Sequence, residues 1–171
     1  MSAFGRAAAI ALALASLFPS TVFSAGPDRL AQLQALYDHE TDPVRKANDL
    51  AKLEPNQFAA VRQKLSGGDE VGALQELENF RDEVSATVTG LQPLAPQAEN
   101  HPDGFKNLQI ALREALREMD AIIERLAMDK RPWFRAVRSD LQNSQNILID
   151  ALFPEKPGKN PKRNPSPGGP Q

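Results

Sequence analysis

The stretch GFKNLQIALREALREMDAIIERLAMD, residues 104–129, constrains the fold more than any other part of the chain, because its apolar residues return every three or four positions. The stripe consists of Phe105, Leu108, Leu112, Ala115, Leu116, Met119, Ile122, Ile123 and Leu126. A period near 3.6 residues is typical of an amphipathic α-helix, and a stripe this broad predicts burial against other helices. At about 1.5 Å per residue the helix would be roughly 40 Å long. On its outer face, Glu114 and Arg117, and Arg117 and Asp120, have the spacing of ion pairs.

Two further stretches predict long helices. The first begins at Asp69, a good capping residue, and ends at Gly90. Its predicted inner face is Val71, Leu74, Leu77, Phe80, Val84, Val88 and Leu91. The second opens at Pro132, with an inner face of Phe134, Val137, Leu141, Leu148 and Leu152. Because only a few residues separate this last helix from the preceding one, the two should form an antiparallel hairpin.

The N-terminal part of the domain predicts shorter helices. Leu30, Leu33, Leu36 and Tyr37 form one stripe, and a second helix begins with Asp42 as cap and Pro43 at its first position. Pro55 predicts the start of a third, which ends at the pair Gly67 and Gly68. No segment shows the alternating pattern of a strand. We therefore predict an all-α antiparallel helical bundle with three long helices and two or three short N-terminal helices.

The first 25 residues have the pattern of a secretory signal peptide. One basic residue, Arg6, precedes an apolar run over 7–18, and small residues follow at Ser24 and Ala25. The run is shorter than the roughly 20 apolar residues that a membrane-spanning helix needs. We predict a signal peptide over 1–25 and an exported protein, periplasmic or extracellular, with no stable membrane span after cleavage.

Charge and proline divide the rest of the chain into two parts. Residues 26–153 form one predicted domain with 15 basic and 21 acidic residues, a net charge of −6, and a proline-rich connecting loop over 90–103. Residues 154–171 form a predicted disordered tail rich in proline and glycine, with four basic residues and one acidic residue. The acidic domain makes nucleic acid an improbable partner, since phosphate contacts need clustered basic residues. The tail suits weak contact with anionic surfaces.

The residues available for chemistry are few. The chain has no cysteine, which excludes disulfides, thiolate metal sites and cysteine nucleophiles. His39 and Glu40 match the start of the zinc motif H-E-x-x-H, but Pro43 stands where its second histidine belongs. His101, in the proline-rich loop, is the other histidine. No nucleophile elbow, phosphate loop or dinucleotide fingerprint occurs, so we predict no catalytic or metal residues and no cofactor.

The crowded stretch LYDHETDP, residues 36–43, is interpreted instead as a helix junction. We expect Leu36 and Tyr37 to contact the core and His39 and Glu40 to face water. Among the other side chains, Trp133 and Phe134 are the candidate interaction residues. Adjacent residues on a helix cannot both point inward, so Phe134 should be buried and Trp133 partly exposed, where it would either close the end of the bundle or bind a partner.

Three segments, DPVRKANDLAKL, GFKNLQIALREALREMDAII and RPWFRAVRSDLQNSQNILIDALFP, together resemble a group of exported, all-helical bacterial proteins of unassigned function. This resemblance implies a secreted helical protein and no particular activity. The segment KLSGGDEVGALQELENF is similar to the centre of a tetratricopeptide unit, without a second copy. The segment LEPNQFAAVRQKL is similar to the L-T-x-x-Q element of periplasmic holdase chaperones, with Glu54 in place of the threonine.

These observations favour a non-enzymatic exported helical protein that acts in protein–protein binding or as an envelope scaffold. Its partner would be another envelope or secreted protein. The first alternative is a periplasmic holdase-type chaperone. The second is a hydrolase or metal-dependent enzyme that uses His39 or His101.

Overall fold

The computed structural model describes residues 27–154, which form five α-helices and no strand. The helices are α1 (Pro27–His39), α2 (Pro43–Ser66), α3 (Glu70–Leu91), α4 (Phe105–Arg125) and α5 (Arg131–Leu152), with a short 3-10 helix, Gln92–Gln97, after α3. The predicted all-α bundle is confirmed. The predicted signal peptide and all of the predicted tail beyond Pro154 lie outside the described residues.

The number of long helices differs from the prediction, because Pro55 does not start a helix. It lies inside α2, which continues for 24 residues, so four long helices follow the single short helix α1. Leu53 before the proline and Phe58 after it are both fully buried. Packing of one continuous apolar face against the core therefore offsets the hydrogen bond that the proline removes, a loss of about 3 kcal/mol in an isolated helix.

The four long helices form two antiparallel hairpins. In the first, Lys64 near the end of α2 pairs with Glu76 near the start of α3, at 2.6 Å. In the second, Arg138 on α5 donates to Asp120 on α4, at 2.5 and 3.0 Å. The predicted pair of Asp120 with Arg117 is absent, because Asp120 faces α5 and Arg117 pairs with Glu114 alone.

The two hairpins lie side by side with parallel helices at each contact. Asn107 donates to Asn48 across α4 and α2, and further along the same helices Arg62 pairs with Glu118. Helices α3 and α5 also run in the same direction. Lys130 Nζ lies 4.0 Å from Glu70 Oε2 near their starts, and Arg81 lies 3.8 Å from Asp140 further along both helices. Both hairpin turns, residues 67–69 and 126–130, therefore lie at one end of the bundle, called here the turn end.

The connection between the hairpins, residues 92–104, crosses the opposite end of the bundle. It closes on Gly104, which is buried and has a φ of 80°. A side chain there would come within 3.2 Å of the Val44 Cα at the start of α2. Glycine is needed at this position for both its conformation and the close approach. The loop predicted over 90–103 thus contains a short 3-10 helix, Gln92–Gln97, and the connection ends in tight contact with α2.

Candidate binding surface and buried carboxyl groups

The turn end is built by local capping. Asp69 accepts a hydrogen bond from the Gly72 main-chain N–H at 2.8 Å, which starts α3 as the sequence predicts. Gly68, with a φ of 80°, supplies the left-handed residue that ends the first hairpin's turn. Arg131 holds the second turn by donating to the carbonyls of Glu124 and Leu126, both at 3.0 Å. These contacts fix the backbone of both turns.

Three large apolar side chains are exposed at the turn end, and we call them the turn face. They are Val71 at 81% exposure, Met128 at 74% and Trp133 at 65%. Val71 and Trp133 lie in the first turns of the neighbouring helices α3 and α5, and Met128 lies in the turn between α4 and α5. The contact of Glu70 with Lys130 shows that these two first turns are level with each other.

The two candidate residues from the sequence have different positions. Phe134 is 2% exposed and belongs to the core, so it cannot contact a partner directly. Trp133 is 65% exposed, in agreement with the predicted partial exposure. The prediction that Val71 faces inward is wrong. The inner face of α3 includes Ala73, and a residue two positions before it lies roughly 200° around the helix.

A groove lies between α2 and α4 beside the turn end, with a volume of about 560 Å³. Its apolar residues are Leu65, Ala121, Ile122 and Leu126. Charged side chains of both signs surround them, including the ion pair of Arg62 with Glu118. The groove is open to solvent, and its volume lies within the range of ligand-binding pockets in proteins.

Glu54 is a buried acid on α2, at 5% exposure. Within the described residues its carboxyl group has no hydrogen bond and no ion pair. Its pKa is raised from 4.5 to about 7, chiefly by burial and further by the nearby carboxylates of Glu118 and Glu114, with Arg62 acting in the opposite direction. Removal from water disfavours the charged form, so this group holds its proton in the mildly acidic range.

Glu83 is a half-buried acid on α3, at the junction of α1, α2 and α3. Its carboxylate accepts hydrogen bonds from the side-chain amides of Gln34 and Gln57, both at 2.6 Å. Burial raises its pKa, and the two amide donors oppose that shift. Nearby, the Tyr37 hydroxyl donates to the Glu83 carbonyl at 3.1 Å and lies 3.0 Å from the Thr87 hydroxyl. These polar contacts attach α1 to the bundle.

The junction of α1 and α2 follows its predicted outline, with two corrections. Asp42 caps α2 by accepting from the Arg45 N–H at 2.8 Å, and Tyr37 is buried. Leu36, expected in the core, is 60% exposed, because the buried side of α1 is set by its neighbour Tyr37. Glu40, expected to face water, is folded back over the junction and accepts from the N–H groups of Thr41 and Asp42, both at 2.8 Å.

The two histidines are far apart in the fold. His39 is exposed at the end of α1, and His101 is exposed in the connection between the hairpins. Among residues 27–154, no group of three or more acidic or histidine side chains is arranged to hold a metal ion. The same part of the chain contains no helix that is both long enough and apolar enough to cross a membrane.

No protein-family model, curated protein or solved structure matches this chain. The geometry of the described residues is therefore the basis for inferring its function.

Proposed function

We propose that this protein is exported and acts without catalysis, by binding another envelope or secreted protein through the turn face. The observation that supports this proposal is the exposure of Val71, Met128 and Trp133 at one end of the bundle. Exposed tryptophan and methionine are enriched at protein interfaces, where they supply large contact areas. The groove next to the turn face offers a pocket for side chains of the same partner.

The turn face also has the rigidity that binding requires. Trp133 lies two helical turns before Asp140, whose side chain faces Arg81 of α3 at 3.8 Å. Trp133 therefore lies on the flank of α5 that faces α3, over the pair of level first turns. Little conformational entropy would be lost there on binding, because capped turns hold the backbone in place.

Site-specific photocrosslinking in the producing cell tests this proposal. A photoreactive residue is placed at Met128 in the full chain, with Trp133 left intact, and crosslinked proteins are identified by mass spectrometry. The matched control is the same residue at Leu36, which is apolar and 60% exposed but lies on α1. We expect one specific protein to be captured from position 128 and not from position 36.

A second variant separates binding from folding. Trp133→Lys in the crosslinking chain should abolish capture from position 128 and leave the melting temperature nearly unchanged, since exposed substitutions change stability by about 0.5 kcal/mol or less. Identical capture from both positions, or capture that is insensitive to Trp133→Lys, would rule out the turn face as the binding site.

Mass spectrometry of the mature N-terminus tests export, with cleavage expected near Ser24 or Ala25.

A holdase-type chaperone is the alternative proposal, and the groove of Leu65, Ala121, Ile122 and Leu126 is the surface that it would use. A holdase suppresses the aggregation of many unrelated unfolded proteins at stoichiometric ratios, whereas the proposed binder captures one protein.

For the enzymatic alternative, the test is the double variant His39→Ala/His101→Ala, whose cellular phenotype would have to match deletion of the protein.

A further inference from the structure

Two methionines lie in the described part of the chain, and their surroundings are opposite. Met119 is on α4 and belongs to the core, at 0% exposure. Met128 is 74% exposed in the turn between α4 and α5, where it forms part of the turn face. The chain has no cysteine. The thioether of Met128 is therefore the one sulfur atom within residues 27–154 that a dissolved oxidant can readily reach.

The backbone around Met128 presents this side chain to solvent. The Lys130 N–H donates to the Ala127 carbonyl at 3.1 Å, so Met128 is a central residue of a closed turn. Leu126, just before the turn, is 7% exposed and belongs to the core. The turn thus has its own apolar anchor. Because the Met128 side chain lies outside the core, a change in its polarity should have little effect on the stability of the bundle.

We propose that Met128 is an oxidation site whose conversion to the sulfoxide switches off binding at the turn face, an inference that rests on the proposed function. The oxidant is a peroxide, and hydrogen peroxide is the simplest one. A lone pair of the thioether sulfur attacks one peroxide oxygen, so that an S–O bond forms and the O–O bond breaks. The sulfur is oxidised by two electrons to the sulfoxide. The other oxygen takes up the proton released by the first and leaves as water.

The sulfoxide changes the chemistry of the turn face. It replaces a flexible apolar side chain with a polar one that carries a hydrogen-bond acceptor. An interface that fits the thioether offers no donor to this new oxygen, and burial of an unpaired acceptor weakens binding. The partner of the turn face should therefore bind the oxidised protein about tenfold more weakly, or less well still. In the other direction, a bound partner covers Met128 and should slow its oxidation.

Peptide mapping by mass spectrometry tests whether oxidation is selective. The full chain is treated with dilute hydrogen peroxide for increasing times, and sulfoxide is quantified separately at each methionine. Met128 should be converted completely before Met119 reacts, because Met119 is reached only when the bundle opens. The melting temperature of the protein oxidised at Met128 should be nearly unchanged. Equal rates at the two methionines, or loss of the fold on oxidation of Met128, would overturn the inference.

Photocrosslinking from Val71 tests the effect on binding, because it leaves Met128 and Trp133 intact. The purified full chain is oxidised, freed of peroxide and then mixed with untreated envelope extract, so that the partner itself is not oxidised. The matched control is Met128→Leu, which keeps an apolar side chain and has no sulfur at this position. Oxidation should reduce capture of the partner about tenfold in the wild-type chain and leave capture by Met128→Leu unchanged.

The outcomes separate this inference from the proposed function. Absence of a specific captured protein before any oxidation overturns the proposed function, and the inference with it. Capture that is equally strong before and after oxidation of Met128 overturns the inference alone. So does an equal loss of capture in oxidised Met128→Leu, which would assign the effect to another side chain.

Discussion

Glu54 is a buried carboxyl group on α2, and Glu83 is a half-buried one on α3 that contacts α2; they differ in what surrounds them. Glu83 accepts two side-chain amide hydrogen bonds at 2.6 Å, from Gln34 and Gln57. Glu54 has no hydrogen bond within the described residues, and two further glutamates act on it from α4. A buried acid with donors can fix neighbouring helices to each other, whereas one without donors weakens the contact in which it lies.

This difference assigns separate roles to the two sides of α2. On the α1 and α3 side, the polar contacts of Glu83 and Tyr37 hold the short helix in place. On the α4 side, the polar pairs Asn48–Asn107 and Arg62–Glu118 join the two helices. Glu54 lies between these pairs along α2 and has no donor among the described residues. The two sites should therefore respond in opposite directions when their carboxyl groups are removed.

The largest expected effect is a gain in stability from Glu54→Gln. The folded-state pKa of about 7 exceeds the ordinary value of 4.5, so the folded protein loses stability as pH rises through this window, and the loss is complete above it. The glutamine variant does not lose this stability, because its side chain cannot ionise. We expect a gain of at most about 3 kcal/mol at pH 8 and almost none at pH 4, because one pKa unit corresponds to about 1.36 kcal/mol and contact with solvent screens part of it.

Urea denaturation of wild type and variant at the two pH values measures this gain. The difference between the two proteins removes the contributions of other titrating groups. If the difference in free energy of unfolding is the same at pH 4 and pH 8, Glu54 ionises in the folded protein as easily as in the unfolded chain, and the contrast with Glu83 fails.

Glu83→Leu should have the opposite sign, with a loss of about 1–3 kcal/mol. The substitution leaves the amide of Gln57 buried without an acceptor, and the Oε1 atom of that residue already has no partner among the described groups. The double variant Glu83→Leu/Gln57→Leu should recover part of the loss, since it removes both polar partners. Thermal or urea unfolding measures all three. A stabilised Glu83→Leu protein would show that the two amide donors contribute nothing.

Local sequence patterns predict much of this fold, because helix period and capping are properties of neighbouring residues. The stripe of α4, the caps at Asp42 and Asp69 and the hairpin of α4 with α5 all follow from such patterns. The continuity of α2 through Pro55 does not, because it depends on packing against helices that are distant in the sequence. The parallel contact of α2 with α4 is not encoded in any short segment either.

The candidate surface could be predicted only in part. Trp133 was identifiable from its position beside an inward phenylalanine, but the exposure of Val71 and Met128 depends on where the helices begin and end. Burial of Glu54 left a signal in the sequence that periodicity could have found. It stands four residues after Leu50 and four before Phe58, both fully buried, and so lies on the inner face of α2. Export and the identity of the partner are still predictions.

Tyr37→Phe tests the polar contacts that attach α1. We expect the free energy of unfolding to fall by about 1 kcal/mol. The hydroxyl contacts with the Glu83 carbonyl and Thr87 disappear, while the ring keeps its place under the Lys46 ammonium, 4.4 Å from the ring centre. Because these contacts attach α1, its amides should exchange faster and those of α4 should not change. Faster exchange throughout the bundle would contradict a local role, and no change would show that the hydroxyl is dispensable.

The smallest effect on stability should come from Arg62→Gln. Its pair with Glu118 joins two side chains that are 52% and 38% exposed, and such pairs contribute less than about 1 kcal/mol. The informative quantity is the pKa of Glu54, which this variant should raise, because Arg62 is the one described cation that lowers it. Carbon-13 NMR titration of the Glu54 carboxyl measures the pKa directly. The control is Arg81→Gln, which removes a paired arginine from α3 and should leave this pKa unchanged. A Glu54 pKa that does not respond to Arg62→Gln would mean that the charge of Arg62 has no influence on it.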